Sequence, residues 1–280
     1  MNDLNTNIIN VSGKNIECFF QNLITNDIKE LENNNVLYTA LLSPQGKYLN
    51  DFFIIKLNNH YLIECNESKR ESLINELKKY DIRSDIKFDV SKKYKTKVIK
   101  KNKLEKSFQK KLENTNFVHC SGYAFYEDPR SKNFLIRFIF EENNSYINKL
   151  NFSNLSEVEL ERIKLKIPNS DKDLEINKSF ILNYNFANIN ALSFSKGCFI
   201  GQENTARQKY RGTQKYSLET IKLIEGKFPE INEDIFYKHK KIGTMKSFEQ
   251  EFGLCLLRND ILANNQKEIR SDKNTLFYIV

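Results

Sequence analysis

Tryptophan is missing from the 280 residues, histidine occurs 3 times, and no Cys-x-x-Cys pair exists. The 5 cysteines, Cys18, Cys65, Cys120, Cys198 and Cys255, are odd in number and widely spaced, which argues against a disulfide framework. The same spacing argues against a self-contained zinc or iron–sulfur site, because such sites draw several ligands from short segments. His60, His119 and His239 are equally scattered. No window approaches ~18 consecutive apolar residues, so no membrane-spanning helix is expected. The start, MNDLNTNIINVSG, has neither a charged-then-apolar leader nor an arginine-rich amphipathic one. The expected location is the cytoplasm, or the mitochondrial matrix in a eukaryote.

What is present suits a folded protein: 40% hydrophobic and 12% aromatic residues are enough to build a core and exclude a disordered chain. At this length two or three structural units are expected. The formal charge of +8 permits an anionic ligand or nucleic acid. The chain is crowded with Lys, Asn, Ile, Phe and Tyr, however, a bias that AT-rich codon usage also produces, so charge alone assigns no partner.

Ile8–Val11 reads as a strand ending in a Ser12-Gly13 turn. From Asn15 onward, Ile16, Phe19, Phe20, Leu23 and Ile24 share one helical face. Residues 36–42 and 48–57 are β-rich runs joined by the turn SPQG, with Tyr61–Cys65 extending the sheet. Residues 67–80 form an amphipathic pattern through Leu73, Ile74 and Leu77. That alternation is ferredoxin-like α+β. Between Lys92 and Lys111 lie 10 lysines, read as a solvated strand and helix, with a nucleic-acid patch as the alternative. Residues 118–126 and 134–140 read as paired strands around EDPRSKN, and residues 157–166 as a helix ending before Pro168. Past Gly212, short β-rich pieces recur between turns, as in a small antiparallel barrel. The expected divisions are 1–90, 91–210 and 211–280.

One stretch stands apart: SKGCFIGQENTARQKYR, residues 195–211. Gly197 and Gly201 flank Cys198, Phe199 and Ile200, allowing the backbone to turn and approach a ligand. Lys196, Lys209 and Arg211 surround the cysteine in sequence, and a nearby cation favours the thiolate needed for nucleophilicity or metal binding. Gln202 offers a donor and an acceptor, and Glu203 a carboxylate. From spacing alone, a structural cysteine beside glycines, a common arrangement, is the slightly favoured reading.

FSKGCFIGQENTARQKYRG resembles the K-G-C-Y-x-G-Q-E signature of the YgfZ family of folate-binding proteins. These are related to the aminomethyltransferase (T-protein) of the glycine cleavage system and to mitochondrial iron–sulfur assembly factors. The likeness extends along most of the chain: VSGKNIECFFQNLITNDI, LLSPQGKYLNDFFIIK, LKKYDIRSDIKF, YEDPRSKNFLIR, ERIKLKIP, KKIGTMKS and FGLCLLR fall in the family's order. The resemblance implies an α+β fold of two ferredoxin-like halves around a folate-binding region, with a small C-terminal antiparallel β-barrel. Lys196, Gly197, Cys198, Gly201, Gln202 and Glu203 occupy the signature, and Ala206, Arg207, Arg211 and Gly212 its extension. Asp51 falls where folate-dependent T-proteins carry an acidic residue that works on the cofactor. The sequence departs from the pattern at Phe199, where tyrosine is usual, at Lys166, where glycine is common, and at Phe180–Asn183, which lacks a proline.

The resemblance implies tetrahydrofolate, or a folate derivative, as cofactor. Cys198 and Lys196 are then the reactive pair, and Gln202, Glu203, Arg207, Asp51, Gly197, Gly201 and Arg211 the folate-site candidates. A flat pterin with an anionic tail needs an apolar slot, a carboxylate or amide at its edge and cations for the tail. Two functions follow as expectations. One is an accessory factor for assembly or repair of iron–sulfur client enzymes, including tRNA-modifying ones, working with other assembly proteins. The alternative is a folate-dependent aminomethyl or one-carbon transferase. Direct nucleic-acid binding is a third, weaker reading, whose mark would be a steep dependence on salt.

Overall fold

The computed structural model describes residues 4–58, 60–132, 134–263 and 267–280; the first three residues of the opening segment and Asn133 of the EDPRSKN turn lie outside them. The chain divides into two compact units. The first holds the residues up to Pro44 with Leu49–Leu155 and Asn190–Ile200; the second holds Gln45–Tyr48, Ser156–Ile189 and Gly201–Val280.

The first unit begins with β1 (Thr6–Gly13), α1 (Ile16–Gln21), α2 (Leu31–Asn34), β2 (Val36–Leu42), β3 (Tyr48–Leu57), β4 (His60–Asn66), α3 (Arg70–Tyr80) and β5 (Ile86–Val90). The strands form one sheet in the order β2-β3-β4-β1-β5. Phe20, Ile54, Ile63, Leu73 and Leu77 sit at its core with no exposed surface, so the apolar stripe of α3 packs as its period demands. The helix expected through Ile24 stops at Gln21. Ile24 bridges Leu41 instead, and Thr25 N–H donates to Ala40 O at 3.0 Å. The open edge of β2 captures the chain before another helical turn forms.

The same unit contains β6 (Tyr94–Lys100), α4 (Lys106–Leu112), β7 (Phe117–Cys120), β8 (Tyr123–Glu127) and β9 (Leu135–Glu141), in an antiparallel sheet ordered β6-β9-β8-β7. Its core is aromatic: Phe125 and Phe138 stack at 5.3 Å, and Phe108 meets Phe125 edge-on at 5.1 Å. The run 118–126 is not one strand. It folds back at Ser121–Gly122, where Gly122 adopts φ 79°, so β7 and β8 pair with each other. In the lysine-rich segment, Lys93 pairs with Glu141, Lys95 with Glu142 and Lys101 with Glu127, so part of its charge is neutralised by neighbouring carboxylates.

The second unit holds the body of α5 (Leu155–Lys164), then α6 (Gln202–Tyr210), β10 (Tyr216–Glu225), β11 (Asp234–Tyr237), β12 (Lys240–Glu249), β13 (Phe252–Arg258), α7 (Asn259–Ala263), β14 (Glu268–Arg270) and β15 (Leu276–Ile279). Its six-stranded sheet runs β11-β12-β13-β10-β15-β14 with antiparallel pairings, the nearly closed barrel expected past Gly212. Ile221, Ile235, Met245, Leu257 and Phe277 fill it. Lys166 ends the α5 segment at φ 55°, the left-handed conformation that explains a glycine preference there. The molecule is thus α+β, as the alternation of elements implied.

Candidate functional site

Residues 190–200 have little regular structure, yet they are strapped to the first unit along their whole length. Asn26 Nδ2 donates to Asn190 O at 2.7 Å, Thr25 Oγ1 to Ala191 O at 2.7 Å, and Ser193 N–H to Thr25 O at 3.1 Å. Lys196 is 6% exposed, and its ammonium donates to three carbonyl oxygens: Gln21 and Ile24 at 2.7 Å and Asn26 at 2.8 Å. Those carbonyls belong to the end of α1 and the turn after it, where unpaired C=O groups attract a cation. Burial pushes the Lys196 pKa down to about 8, so the proton stays on at neutral pH and all three N–H groups can donate. Phe199 is buried, its ring 5.2 Å from the ammonium, and Ile200 N–H donates to Asn22 O at 3.3 Å. An apolar ring at position 199 therefore suits its site.

Between these anchors Gly197 and Cys198 are exposed. Gly197 has open space where a side chain would go, and its φ lies outside the left-handed region; Gly201, at φ 81°, is the residue that needs glycine, as the N-cap of α6. Cys198 differs from Cys65 and Cys255, which are buried and whose thiols burial pushes up, that of Cys65 to about 12. Cys18 is exposed as well, and Cys120 half-buried.

In the second unit, Glu203 and Arg207 are exposed and pair with each other at 2.8 Å, one helical turn apart. Gln202 is half-buried, and Arg211 is exposed just past the end of α6. The SPQG turn docks on the start of that helix: Asn204 Nδ2 donates to Gln45 O at 2.8 Å. Gly46, at φ 74°, lies so close that an added Cβ would stand 2.9 Å from Asn204 Cβ and 3.0 Å from Gly201 O. Two sequence motifs some 155 positions apart thus share one packed turn.

Asp51, on β3 of the first unit, is 8% exposed and accepts a short hydrogen bond from the Tyr38 hydroxyl on β2. Burial, reinforced by the Asp51 charge, raises the Tyr38 pKa well above its usual value, so the phenol keeps its proton and stays a donor. The Arg130 guanidinium lies 5.2 Å from the Tyr38 ring centre and 5.0 Å from that of Phe53. Arg130 also grips Asp128 through Nε at 3.0 Å and Nη2 at 2.8 Å. Arg137, on β9, bonds Asp128 at 3.3 Å and Glu64 of β4 through Nη2 and Nε, while the Tyr126 hydroxyl donates to Glu64 at 3.2 Å. Burial alone would raise the Asp128 pKa, but the Arg130 and Arg137 charges outweigh it and hold the carboxyl ionised. Glu64, Asp128 and Arg137 are at most 3% exposed, so this lattice ties the two sheets of the unit together away from water.

Beside the lattice lies a cavity of about 520 Å³, whose lining includes Tyr38, Asp128, Asn26, Asn190, Ser193 and Ser195. All of its lining belongs to the first unit. Of the residues singled out in the sequence, none lines it directly, but Asp51 is joined to it through Tyr38, and Lys196–Cys198 follow immediately on its Ser193–Ser195 wall. Gln202, Glu203, Arg207 and Arg211 belong to the other unit. Sequence reading missed Tyr38, Glu64, Asp128, Arg130 and Arg137. Two of them left a trace: Glu64 in YLIEC and Arg137 in LIRFIF are lone charges inside otherwise apolar strands, which fold only if each charge finds a partner. Among the described residues no three His, Cys, Asp or Glu side chains converge as a metal site, and no helix is long and apolar enough to cross a membrane.

Comparison with known proteins places this geometry in context. Residues 3–99 match the GCVT N-terminal domain family. The mitochondrial iron–sulfur cluster assembly factor IBA57 homolog of Neurospora crassa is 29% identical over 81% of this chain; the chain spans about half of that relative's length, 54%. The tRNA-modifying protein YgfZ of Aliivibrio fischeri is 25% identical, covering 94% of this chain and 86% of its own. In three dimensions, the glycine cleavage system aminomethyltransferase T from Bartonella henselae matches with a TM-score of 0.75 and 11% identity, over 99% of this chain and 83% of that one. That last likeness speaks for the fold.

Proposed function

We propose a function for this chain as a relative of the YgfZ and IBA57 proteins on the fold of the glycine cleavage T-protein. The reading is a folate-binding accessory protein for the assembly or repair of iron–sulfur enzymes, tRNA-modifying ones among them. The observation that carries it is the exposed Cys198, held on an anchored tip that continues the wall of a 520 Å³ cavity.

The cavity suits a pterin. Its volume falls within the ~300–1,000 Å³ usual for organic ligands. Tyr38, Leu192 and Phe194 give it aromatic and aliphatic wall, and Asn26, Asn190 and Ser193 give it hydrogen-bonding groups. Those residues would hold tetrahydrofolate, whose chemistry when bound is one-carbon transfer at a pterin-ring nitrogen and the neighbouring bridge nitrogen. Asp51 would act behind Tyr38, its carboxylate orienting the phenol that flanks the ligand. Arg207 and Arg211 carry the expectation of contact with an anionic tail, and Gln202 and Glu203 that of contact with the pterin edge; replacing each singly and measuring folate affinity tests them.

Cys198 would engage the iron–sulfur cargo. One thiolate cannot hold a cluster, which takes about four ligands, so a client or assembly partner supplies the rest. The transferase alternative needs Asp51 as a working carboxylate aligned with the folate nitrogens. Its commitment to the Tyr38 hydroxyl supports the accessory role instead. Calorimetry with tetrahydrofolate tests the shared premise, and glycine-cleavage T activity in the purified protein would favour the transferase.

A further inference from the structure

The cavity wall and the thiol tip are consecutive residues of one strap, and the turn that anchors the strap also lines the cavity. Ser193 and Ser195 face the cavity; Lys196 begins the tip. Asn26 lines the cavity, donates to Asn190 O at 2.7 Å and to Tyr38 O at 2.9 Å, and offers its own carbonyl to the Lys196 ammonium at 2.8 Å. The Lys196 grip is a match of number and shape. A tetrahedral ammonium carries three N–H donors and meets three carbonyl acceptors. Asp27 is the charged group that bears on it, and the Asp27 side chain is engaged with Lys29 N–H at 3.1 Å and Gln21 Nε2 at 3.0 Å. Apart from Lys196, the tip is tied down by the Phe199 ring and one 3.3 Å bond from Ile200 N–H. A strap of about ten residues that belongs to no helix or strand, held by side-chain bonds and not by a ladder, is of the kind that opens locally, below the global unfolding energy.

We propose that filling the cavity and ordering the thiol tip are one linked equilibrium, with Lys196 as the positioning residue that latches Ser193–Ile200 onto the Gln21–Asn26 turn. A ligand in the cavity touches the strap directly. Any opening that lifts the strap also destroys the ligand's wall, so occupancy suppresses opening by mass action. The reverse holds by linkage: loosening the latch weakens the ligand by the same factor. Ligand binding then decides how firmly Cys198 is presented, which gives a non-reacting folate a use in a protein that works through a thiol. This rests on the reading that the cavity takes a folate-type ligand.

Hydrogen–deuterium exchange on the full chain tests it, with tetrahydrofolate as the probe and calorimetry in parallel. At about 100 times its Kd, the ligand is expected to slow exchange of the Ser193 and Ile200 amides by up to about a hundredfold while leaving those of β13 unchanged. Lys196→Met is expected to speed the same two amides at least about tenfold without ligand and to weaken tetrahydrofolate comparably. Lys196→Arg, whose planar fork cannot aim three donors from one nitrogen, is expected to recover only part of the protection. If tetrahydrofolate binds and the Ser193 and Ile200 amides do not respond, the linkage is wrong while the folate reading stands. If it does not bind, the folate reading and the linkage fall together. If Lys196→Met leaves Ile200 exchange unaltered, Lys196 is no latch.

Discussion

Replacing Arg137 by methionine removes the cation that joins the two sheets of the first unit. The side chain is 4% exposed and sits between two carboxylates, Glu64 and Asp128, whose side chains are fully buried. Asp128 keeps its bonds to Arg130, so the loss falls on Glu64, left with the Tyr126 hydroxyl at 3.2 Å. Stripping one partner from a buried ion pair is worth roughly 3–5 kcal/mol, against a total stability of about 5–15 kcal/mol for a domain. The expected loss for Arg137→Met is therefore about 4 kcal/mol. Replacing both partners, as Glu64→Leu with Arg137→Met, leaves apolar groups in an apolar place and should lose only about 1 kcal/mol. Urea unfolding of the four chains of this double-mutant cycle measures both numbers, with a coupling of at least about 2 kcal/mol expected. A double variant as unstable as the sum of the single ones would refute the view that the pair balances itself.

Other expectations follow from the same geometry. Tyr38→Phe removes the hydrogen bond by which Asp51 orients the ring, a loss of about 2 kcal/mol in denaturant unfolding, but keeps an aromatic wall, so folate affinity should fall about three- to tenfold while Tyr38→Ala lowers it more than about tenfold. Gly46→Ala puts a side chain at φ 74° and against Asn204 and Gly201, and should destabilise the chain by about 2–3 kcal/mol, read from its thermal midpoint. The Glu159 carboxyl, although burial alone would raise it, is held down at about 2 by Arg162 and Lys172. Its folded pKa lies below the usual 4.5, so the stability it contributes, about 3 kcal/mol, is present above pH 4.5 and is lost as pH falls toward 2. Glu159→Gln should flatten that part of the stability–pH curve.

Local pattern carried much of the fold. The stripe Leu73–Ile74–Leu77 named α3, Pro44 and Gly46 named the hairpin turn, and the closely spaced β-rich pieces past Gly212 named the barrel-like sheet. The pattern failed where a distant element intervened. The helical face through Ile24 is real, but β2 claims Ile24 and Thr25 from across the chain. The strand read through residues 118–126 overlooked what Gly122 permits. The site divides the same way. The K-G-C loop announced its cysteine, since glycines and cations beside a thiol are adjacent in sequence. The reason Lys196 is there could not be read, because its three acceptors lie some 170 residues away. Nor could Arg137 be matched to Glu64, 73 positions apart, because nothing local distinguishes a buried partner from an exposed one.

The exposed sulfur of Cys198 is expected to do the work, and one complementation experiment tests it most directly. In a strain lacking this protein, the activity of an iron–sulfur client enzyme should return with the wild-type chain and with Cys18→Ser or Cys120→Ser. It should stay near the deletion level with Cys198→Ser, a variant expected to fold and to bind tetrahydrofolate as the wild-type chain is expected to. Full recovery by Cys198→Ser would contradict it.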